Sequence, residues 1–331
     1  MDNNRLVREA IPGLACPNEA EQCYGMEVEM EYVDLENGYP IDWRVVEDGS
    51  LRNRGLEFLT PPSTLAQMEA LIDTLWEARQ GRPWQGGPRC GIHLHMDFTN
   101  KPTRHVAAFL AAYACLEPAI MYELCGEERE QNIYCVPYYR APRDLTPIAR
   151  YLAEPYRTQV ERIQRTCKYS AMYLEPLTRF GTVEFRGAPV YDNAEDVKNL
   201  VRFFDNLIAQ TSEVQPEMII ELFEEDQDHA LDMFAPSLDR VRTEQYMLEL
   251  DSVGIAGRAF VRTRPEDIVW EQAIPPHVPA DVQRAEHGRV RYRDIPEGFL
   301  EINPVEANRG MRDELDRILL QQQEQIARRR R

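Results

Sequence analysis

Four short stretches of the chain alternate apolar and polar residues, which is the pattern of a strand with one buried face and one polar face. The first is Gly25-Met-Glu-Val-Glu-Met-Glu-Tyr32, where three glutamates share one face and the apolar side chains share the other. The remaining three stretches cover residues 55–60, 92–97 and 181–187. Each of them carries carboxylate or imidazole groups on its polar face. A further strand is predicted over 168–174.

Apolar residues at helical spacing predict helices between these strands. One begins after Ser63 or Thr64, and another begins after Asp192 or Asn193 and runs to about Gln210. Further helices are predicted over 103–125 and 157–166. Residues 127–155, rich in Pro, Tyr and Arg, predict either a lid or an ordinary connector. Paired strands separated by amphipathic helices indicate an α+β fold with the helices on one sheet face.

A turn signal at residues 36–39 predicts a hairpin, in which residues 43–47 return alongside the first strand. The strand and helix pattern is strong over residues 1–212, which we expect to form the catalytic domain. Residues 213–331 carry a weaker pattern that includes a proline-rich stretch and a helix over 312–327. We expect this C-terminal region to be helical or extended and to serve in wrapping or assembly.

Charge and composition exclude several classes of protein. The net charge of −18 opposes binding to a nucleic-acid backbone or to anionic lipid. Seven cysteines without a C-x-x-C pair are typical of a reduced, cytoplasmic protein. The N-terminus lacks the pattern of a secretory signal. The apolar run at 106–125 is interrupted by Glu117, Pro118 and Glu123, so it predicts a core helix rather than a membrane span.

The polar faces of the four strands carry the candidate chemistry. Taken alone, the first strand's glutamates are typical of a solvated sheet face. If the strands share one sheet, however, their acids and imidazoles converge, and a cluster rich in carboxylates suits Mg²⁺ or Mn²⁺. The chain contains neither a P-loop nor a G-x-G-x-x-G motif, so any ATP would be held chiefly through metal ions. The residues concerned are Glu27, Glu29, Glu31, Glu57, His93, His95, Asp97, Glu184 and Arg186.

Four motifs in this order resemble the amidoligase family, over about residues 22–212. They are Gly25-x-Glu27-x-Glu29, Gly-Leu-Glu57-Phe-Leu-Thr-Pro-Pro, Cys90-Gly-Ile-His93-Leu-His95 and Gly181-Thr-Val-Glu184-Phe-Arg186-Gly. That family belongs with glutamine synthetase and glutamate-cysteine ligase among the carboxylate-amine ligases and is frequent in phage genomes. If the chain is phage-encoded, we expect it in the host cytoplasm.

The resemblance implies an ATP-dependent ligase that joins a carboxylate to an amine through an acyl phosphate. The acid and amine could be small molecules or peptides, and self-association is compatible with the family. The implied fold is a curved antiparallel sheet of the glutamine synthetase catalytic-domain type, with helices on its convex face. Glu27, Glu29, Glu57, His95 and Glu184 would bind Mg²⁺ or Mn²⁺, and His93 would bind metal or shape the site. Arg186, Arg179 and Lys168 would contact ATP phosphates and serve catalysis together with Glu184.

Two other functions fit the residues. A metal-dependent hydrolase could use His93-x-His95 to hold zinc and activate water. The abundance of glutamates and the lack of further clustered histidines weigh against it, and metal preference separates the two enzymes. A structural or interaction protein could keep the fold without chemistry, but it would have no reason to retain a costly cluster of like charges.

Overall fold

The computed structural model describes residues 5–11, 14, 16–18, 20–36, 38–141, 145 and 169–260. The strands are Tyr24–Met30 (β1), Arg44–Glu47 (β2), Leu56–Leu59 (β3), Ile92–Asp97 (β4), Met172–Tyr173 (β5) and Thr182–Ala188 (β6). The helices are Val7–Ala10 (α1), Leu65–Arg79 (α2), Thr103–Ala119 (α3), Glu127–Glu130 (α4), Glu175–Arg179 (α5), Ala194–Gln210 (α6), Pro216–Glu225 (α7), Gln227–Phe234 (α8), Arg240–Glu249 (α9) and Ser252–Phe260 (α10). The helices predicted over 157–166 and 312–327 lie outside the described residues.

The six strands form one antiparallel sheet in the order β2-β3-β1-β4-β6-β5. This arrangement confirms the α+β class, and the four alternating stretches become β1, β3, β4 and β6. Strands β1 and β4 lie at the centre, so their apolar residues are fully covered, as at Val28 and Leu94. Distant parts of the chain therefore meet side by side in the middle of the sheet.

The predicted hairpin between β1 and residues 43–47 is wrong. Strand β2 pairs with β3, and β3 occupies the position beside β1. Trp43 accounts for part of the difference, because its indole is buried and its Nε1 donates to the carbonyl of Leu71 on α2. The buried Phe58 suits β3 to the inner position, whereas β2 is largely exposed and forms the sheet edge.

Helices cover the apolar face of the sheet. The ring centroid of Phe185 on β6 lies 6.1 Å from that of Tyr113 on α3 and 4.7 Å from that of Phe204 on α6. Burying a ring of this kind stabilises the fold by about 2–3 kcal/mol. Helix α6 begins as predicted, with the side chain of Asn193 accepting a hydrogen bond from the backbone of Asp196. The opposite face of the sheet is left for polar groups.

The apolar helix α3 and the π-helical turn that follows it, Ile120–Cys125, are long and apolar enough to cross a membrane. In the fold, however, 94% of the most apolar part is buried inside the protein. Helices α7, α9 and α10 pack against it, and Ser252 on α10 donates to the carbonyl of Cys115. This burial is that of a core helix, as the sequence predicted. The division into domains at residue 212 stays a prediction.

A buried acid on α3 gives the fold a testable pH dependence. Glu117 is fully buried and accepts hydrogen bonds from the Tyr113 hydroxyl and the Tyr139 backbone. Burial raises the pKa of its carboxyl to about 7, although these hydrogen bonds oppose the shift. Because the folded pKa lies above the ordinary value of 4.5, the contribution to stability is complete below 4.5 and is lost as the pH rises through about 7.

Glu117→Gln is therefore expected to remove this loss of about 3 kcal/mol. Urea unfolding at about pH 5 and about pH 8, followed by circular dichroism, measures it. The free energy of unfolding of the variant minus that of wild type should therefore be larger at about pH 8 than at about pH 5. Glu221→Gln, on the exposed side of α7, is the matched control and should show no such gain. A parallel pH dependence in wild type and Glu117→Gln would contradict the expectation.

Candidate metal centre

Register places acids and imidazoles opposite one another on the polar face of the sheet. Residues directly paired on antiparallel strands point to the same side. Glu27 on β1 pairs with His93 on β4 and, at the next position on this face, Glu29 pairs with Glu57 on β3. On the other side of β4, His95 pairs with Glu184 on β6. Four strands that are far apart in the sequence thus supply one cluster.

The two histidines are held by carboxylates. The Nδ1 atom of His93 lies 2.9 Å from Oε2 of Glu27, and the Nε2 atom of His95 lies 3.2 Å from the other oxygen of the same carboxylate. Glu184 approaches both rings, at 3.6 Å from His93 and 3.9 Å from His95. The second ring nitrogen of His95 lies 3.0 Å from the Thr182 hydroxyl. Each imidazole is therefore fixed in orientation from two sides.

Two groups of side chains bring potential metal ligands together. The first group is Glu27, His93 and Glu184, and the second is Glu29, Glu57 and His93. Within each group one ligand atom per residue lies within 4.8 Å of the others. His93 belongs to both groups, and its Nε2 atom faces Glu29 at 3.7 Å. This donor set, with more carboxylates than imidazoles, fits hard divalent cations such as Mg²⁺ or Mn²⁺ better than zinc.

Crowding among the carboxylates perturbs their titration. Burial and, after it, the negative charges of Glu27, Glu29 and Asp48 together raise the pKa of Glu57 to about 8. Burial also raises the pKa of Glu29, whose side chain is almost inaccessible to water. A bound cation would relieve this cost, because it adds positive charge where like charges are held together.

Glu27 and His95 show the opposite tendency. Burial alone would raise the pKa of Glu27, but its hydrogen bonds with His93 and His95 outweigh burial and lower the pKa. Burial alone would lower the pKa of His95, yet its hydrogen bond with Glu27 and the charge of Glu184 raise it. A raised pKa favours the charged form of His95, which lies as a counter-charge beside Glu27 and Glu184.

Arg186 brings a positive charge to the edge of the cluster. It lies on the same face as Glu184, and its Nη1 atom forms an ion pair with Oε1 of that carboxylate at 2.5 Å. Its guanidinium carbon sits 5.8 Å from the ring centroid of Tyr173 on β5. Among the residues that the structure describes, nothing accepts a hydrogen bond from its buried Nε atom. The guanidinium therefore retains donor capacity beside the carboxylates.

One basic residue predicted for the site, Arg179, is not gathered with the rest. Arg179 is largely exposed at the end of α5 and forms an ion pair with Glu175 at 2.5 Å. Glu175 in turn accepts a hydrogen bond from the hydroxyl of Tyr173, which links Arg179 to the site within the described part of the chain. Lys168 lies outside the described residues. Their assigned roles stay predictions.

Two acids near the cluster have structural partners. Glu31, beyond the end of β1, accepts hydrogen bonds from the Arg52 backbone and the Asn53 side chain. It thereby holds the turn that leads into β3. Asp97, at the end of β4, accepts from the backbone and the hydroxyl of Thr99. Neither belongs to the two ligand groups.

Three further residues support the site without having been expected from the sequence. The backbone N–H of Gly91 donates to Oε2 of Glu29 at 2.8 Å, and Thr182 contacts His95. Arg129 lies buried behind the point where β4 begins and β6 ends. Their positions beside the His-x-His and Glu-x-Arg motifs could have indicated Gly91 and Thr182. Arg129 stands in the stretch 127–155, for which the sequence predicts a lid or a connector, so no signal indicated a buried role for it.

The fold and this cluster define a class: an α+β protein that carries a carboxylate–imidazole centre on the open face of an antiparallel sheet. A family model described as "Putative amidoligase enzyme" matches residues 21–208, more than half of the chain. The chain belongs to this family, as its motifs predicted. No curated protein matches the chain. Family membership supports an enzyme that forms amide bonds.

Proposed function

We propose that the protein is an ATP-dependent carboxylate-amine ligase that works through an acyl phosphate. The observation that carries the proposal is the convergence of carboxylates and imidazoles from β1, β3, β4 and β6 on one face, in a chain of the amidoligase family. We further propose that the sheet is of the glutamine synthetase catalytic-domain type, with the cluster on its concave face and the helices on its convex face.

Mg²⁺ or Mn²⁺ is the proposed cofactor. Glu27 and Glu184 would hold one ion and Glu29 and Glu57 another, and His93 would bind one of the two, because a neutral imidazole has a single nitrogen lone pair for a metal. His95 would orient Glu27 and Glu184 or join them as a ligand. Such cations would neutralise the glutamates and clamp the nucleotide phosphates during in-line transfer.

The proposed reaction has two steps. An oxygen of the substrate carboxylate attacks the γ-phosphorus, the bond from phosphorus to the bridging oxygen breaks, and ADP leaves. The amine nitrogen then attacks the acyl carbon, the bond from that carbon to the phosphate oxygen breaks, and phosphate leaves as the amine gives up one proton. The protein's own task is to position charged reactants and to stabilise the charge that develops.

Arg186 is the proposed contact for the transferred phosphoryl group. Its ion pair with Glu184 fixes the guanidinium beside the first ligand group, and its buried Nε atom is free to donate as far as the described residues show. A planar guanidinium with spare donors matches the oxygens of a phosphoryl group. Lys168 and Arg179 are proposed as additional phosphate contacts.

The test is ADP release with ATP and Mg²⁺ across a panel of acids and amines. The panel should include free amino acids such as glutamate, peptides and modified nucleobases, because the proposed reaction does not specify which carboxylate is the substrate. The proposal expects ADP formation that needs both an acid and an amine and that equals the amide measured by mass spectrometry. Stoichiometric zinc together with hydrolysis that does not need ATP would instead favour the metal-dependent hydrolase.

A further inference from the structure

Arg129 is a buried arginine that binds backbone carbonyls. Its Nε atom donates to the carbonyl of Gly187 at 3.0 Å, Nη1 to that of Cys90 at 3.0 Å and Nη2 to that of Arg186 at 2.8 Å. Among the described residues it forms no ion pair, although only 6% of it is exposed. Burying a guanidinium costs free energy unless its donors are satisfied, so this arrangement calls for a specific role.

The three carbonyls lie where the pairing of β4 with β6 is irregular. Ile92 pairs with Ala188 and Leu94 with Phe185, so one residue of β4, His93, faces both Arg186 and Gly187. This is a β-bulge, which leaves backbone groups of the bulged strand without their regular ladder partners. The guanidinium of Arg129 supplies donors to both carbonyls of the bulge. Its rigid fork therefore fixes the backbone from which the Arg186 side chain projects.

The third hydrogen bond reaches the opposite side of the candidate metal centre. The carbonyl of Cys90 accepts from Arg129, and the next residue, Gly91, donates its N–H to Oε2 of Glu29. A Cβ atom on Gly91 would lie 2.9 Å from Nη2 of Arg129, so glycine lets the guanidinium approach this closely. One side chain thus holds the backbone next to Glu29 and the backbone of Arg186.

We propose that Arg129 is a positioning residue that sets the spacing between Glu29 and Arg186, and with it the affinity of the site for divalent metal and nucleotide. The inference rests on the proposed function and deepens it. Arg129 acts in two ways. It holds the backbone at Gly91, whose N–H donates to Glu29, and it holds the bulge from which Arg186 reaches Glu184. Losing such an outer partner typically weakens metal affinity about 10- to 100-fold.

Arg129→Lys tests the claim, because it keeps the charge and removes the planar fork. Calorimetric titration of the full chain with Mn²⁺ should show affinity about 10- to 100-fold lower than wild type. In the ATPase assay, the KM for ATP should rise. Metal-free hydrogen exchange should speed up at the amides of residues 186–188, a readout that needs neither metal nor substrate.

Chemical rescue separates positioning from general loss of structure. In Arg129→Ala, added ethylguanidinium at concentrations that do not denature the protein should restore Mn²⁺ affinity, whereas ethylammonium should not. Arg140→Ala is the matched control. Arg140 is a neighbouring arginine, 38% exposed, whose partner is Glu130 rather than the sheet, and its removal should leave Mn²⁺ affinity unchanged.

Two results overturn the inference in distinguishable ways. Wild-type Mn²⁺ affinity, ATP KM and amide exchange in a folded Arg129→Lys would reject the role of Arg129 and leave the proposed function standing. Absence of Mn²⁺ binding by the wild-type protein would reject both. If Arg129→Ala does not fold, Arg129→Lys and its exchange pattern decide the matter.

Discussion

Glu184→Gln is expected to lower ATP turnover by on the order of 10³-fold. The substitution keeps the size of the side chain but removes a charge that faces His93 and pairs with Arg186. Glu184 is both a proposed metal ligand and the partner that orients the guanidinium of Arg186, so the substitution weakens both interactions. Initial rates of ADP release with saturating Mg²⁺, using an acid and amine pair that supports turnover by the wild type, measure the loss.

The matched control is Glu195→Gln, which removes a carboxylate that pairs with Arg202 and Lys198 on the exposed side of α6. Its turnover should equal that of wild type. Circular dichroism should show that Glu184→Gln remains folded, so that the loss is one of chemistry. A folded Glu184→Gln protein with turnover within a few-fold of wild type would remove Glu184 from the proposed mechanism.

The second expected effect is a stability change whose sign depends on metal. Without metal, the pKa of Glu57 lies near 8, raised first by burial and then by the neighbouring acids. Its contribution to stability is therefore complete below about 4.5 and lost as the pH rises through about 8. Glu57→Gln does not titrate, so in EDTA at about pH 7 it should be more stable than wild type by roughly 3 kcal/mol.

Metal should reverse the order. Mg²⁺ or Mn²⁺ that binds the folded state at about 1,000 times its Kd stabilises wild type by about 4 kcal/mol, whereas Glu57→Gln has lost a proposed ligand and should gain little. Thermal unfolding with EDTA and with saturating Mn²⁺ measures both effects. The control is Glu47→Gln, on the exposed edge strand β2, which should follow wild type in both conditions. Equal metal-induced shifts in wild type and Glu57→Gln would contradict the assignment of Glu57.

Much of the sheet could be predicted from the sequence because its signals are local. Alternation of apolar and polar residues in β1, β3, β4 and β6 indicates which side chains share a face. This indication does not depend on which strands lie next to each other. The pairing of strands is a nonlocal property. The turn signal at 36–39 suggested that β2 follows β1 in the sheet, but Trp43 packs on α2 and β3 takes the inner place. Nothing in the local pattern states which of two strands is the edge.

The same distinction applies to the candidate metal centre. The strand faces indicated Glu27, Glu57 and Glu184, and only the three-dimensional register shows that Glu29 and Glu57 are direct partners. The role of Arg129 could not be predicted, because its acceptors are backbone carbonyls at a bulge, and backbone geometry leaves no mark in the side-chain sequence. Glycine at 91 is a trace of this close packing, because a Cβ there would lie 2.9 Å from Nη2 of Arg129.

Carboxylates and an imidazole from separate strands are proposed to hold a divalent ion on one face of the sheet. Pulsed electron paramagnetic resonance of the Mn²⁺-loaded wild-type protein tests this arrangement, because nitrogen coupling reports an imidazole bound to the ion. We expect bound Mn²⁺ with imidazole nitrogen coupling that disappears when His93→Asn and His95→Asn are combined. Mn²⁺ that remains free in solution, or that binds without nitrogen coupling, would contradict the claim.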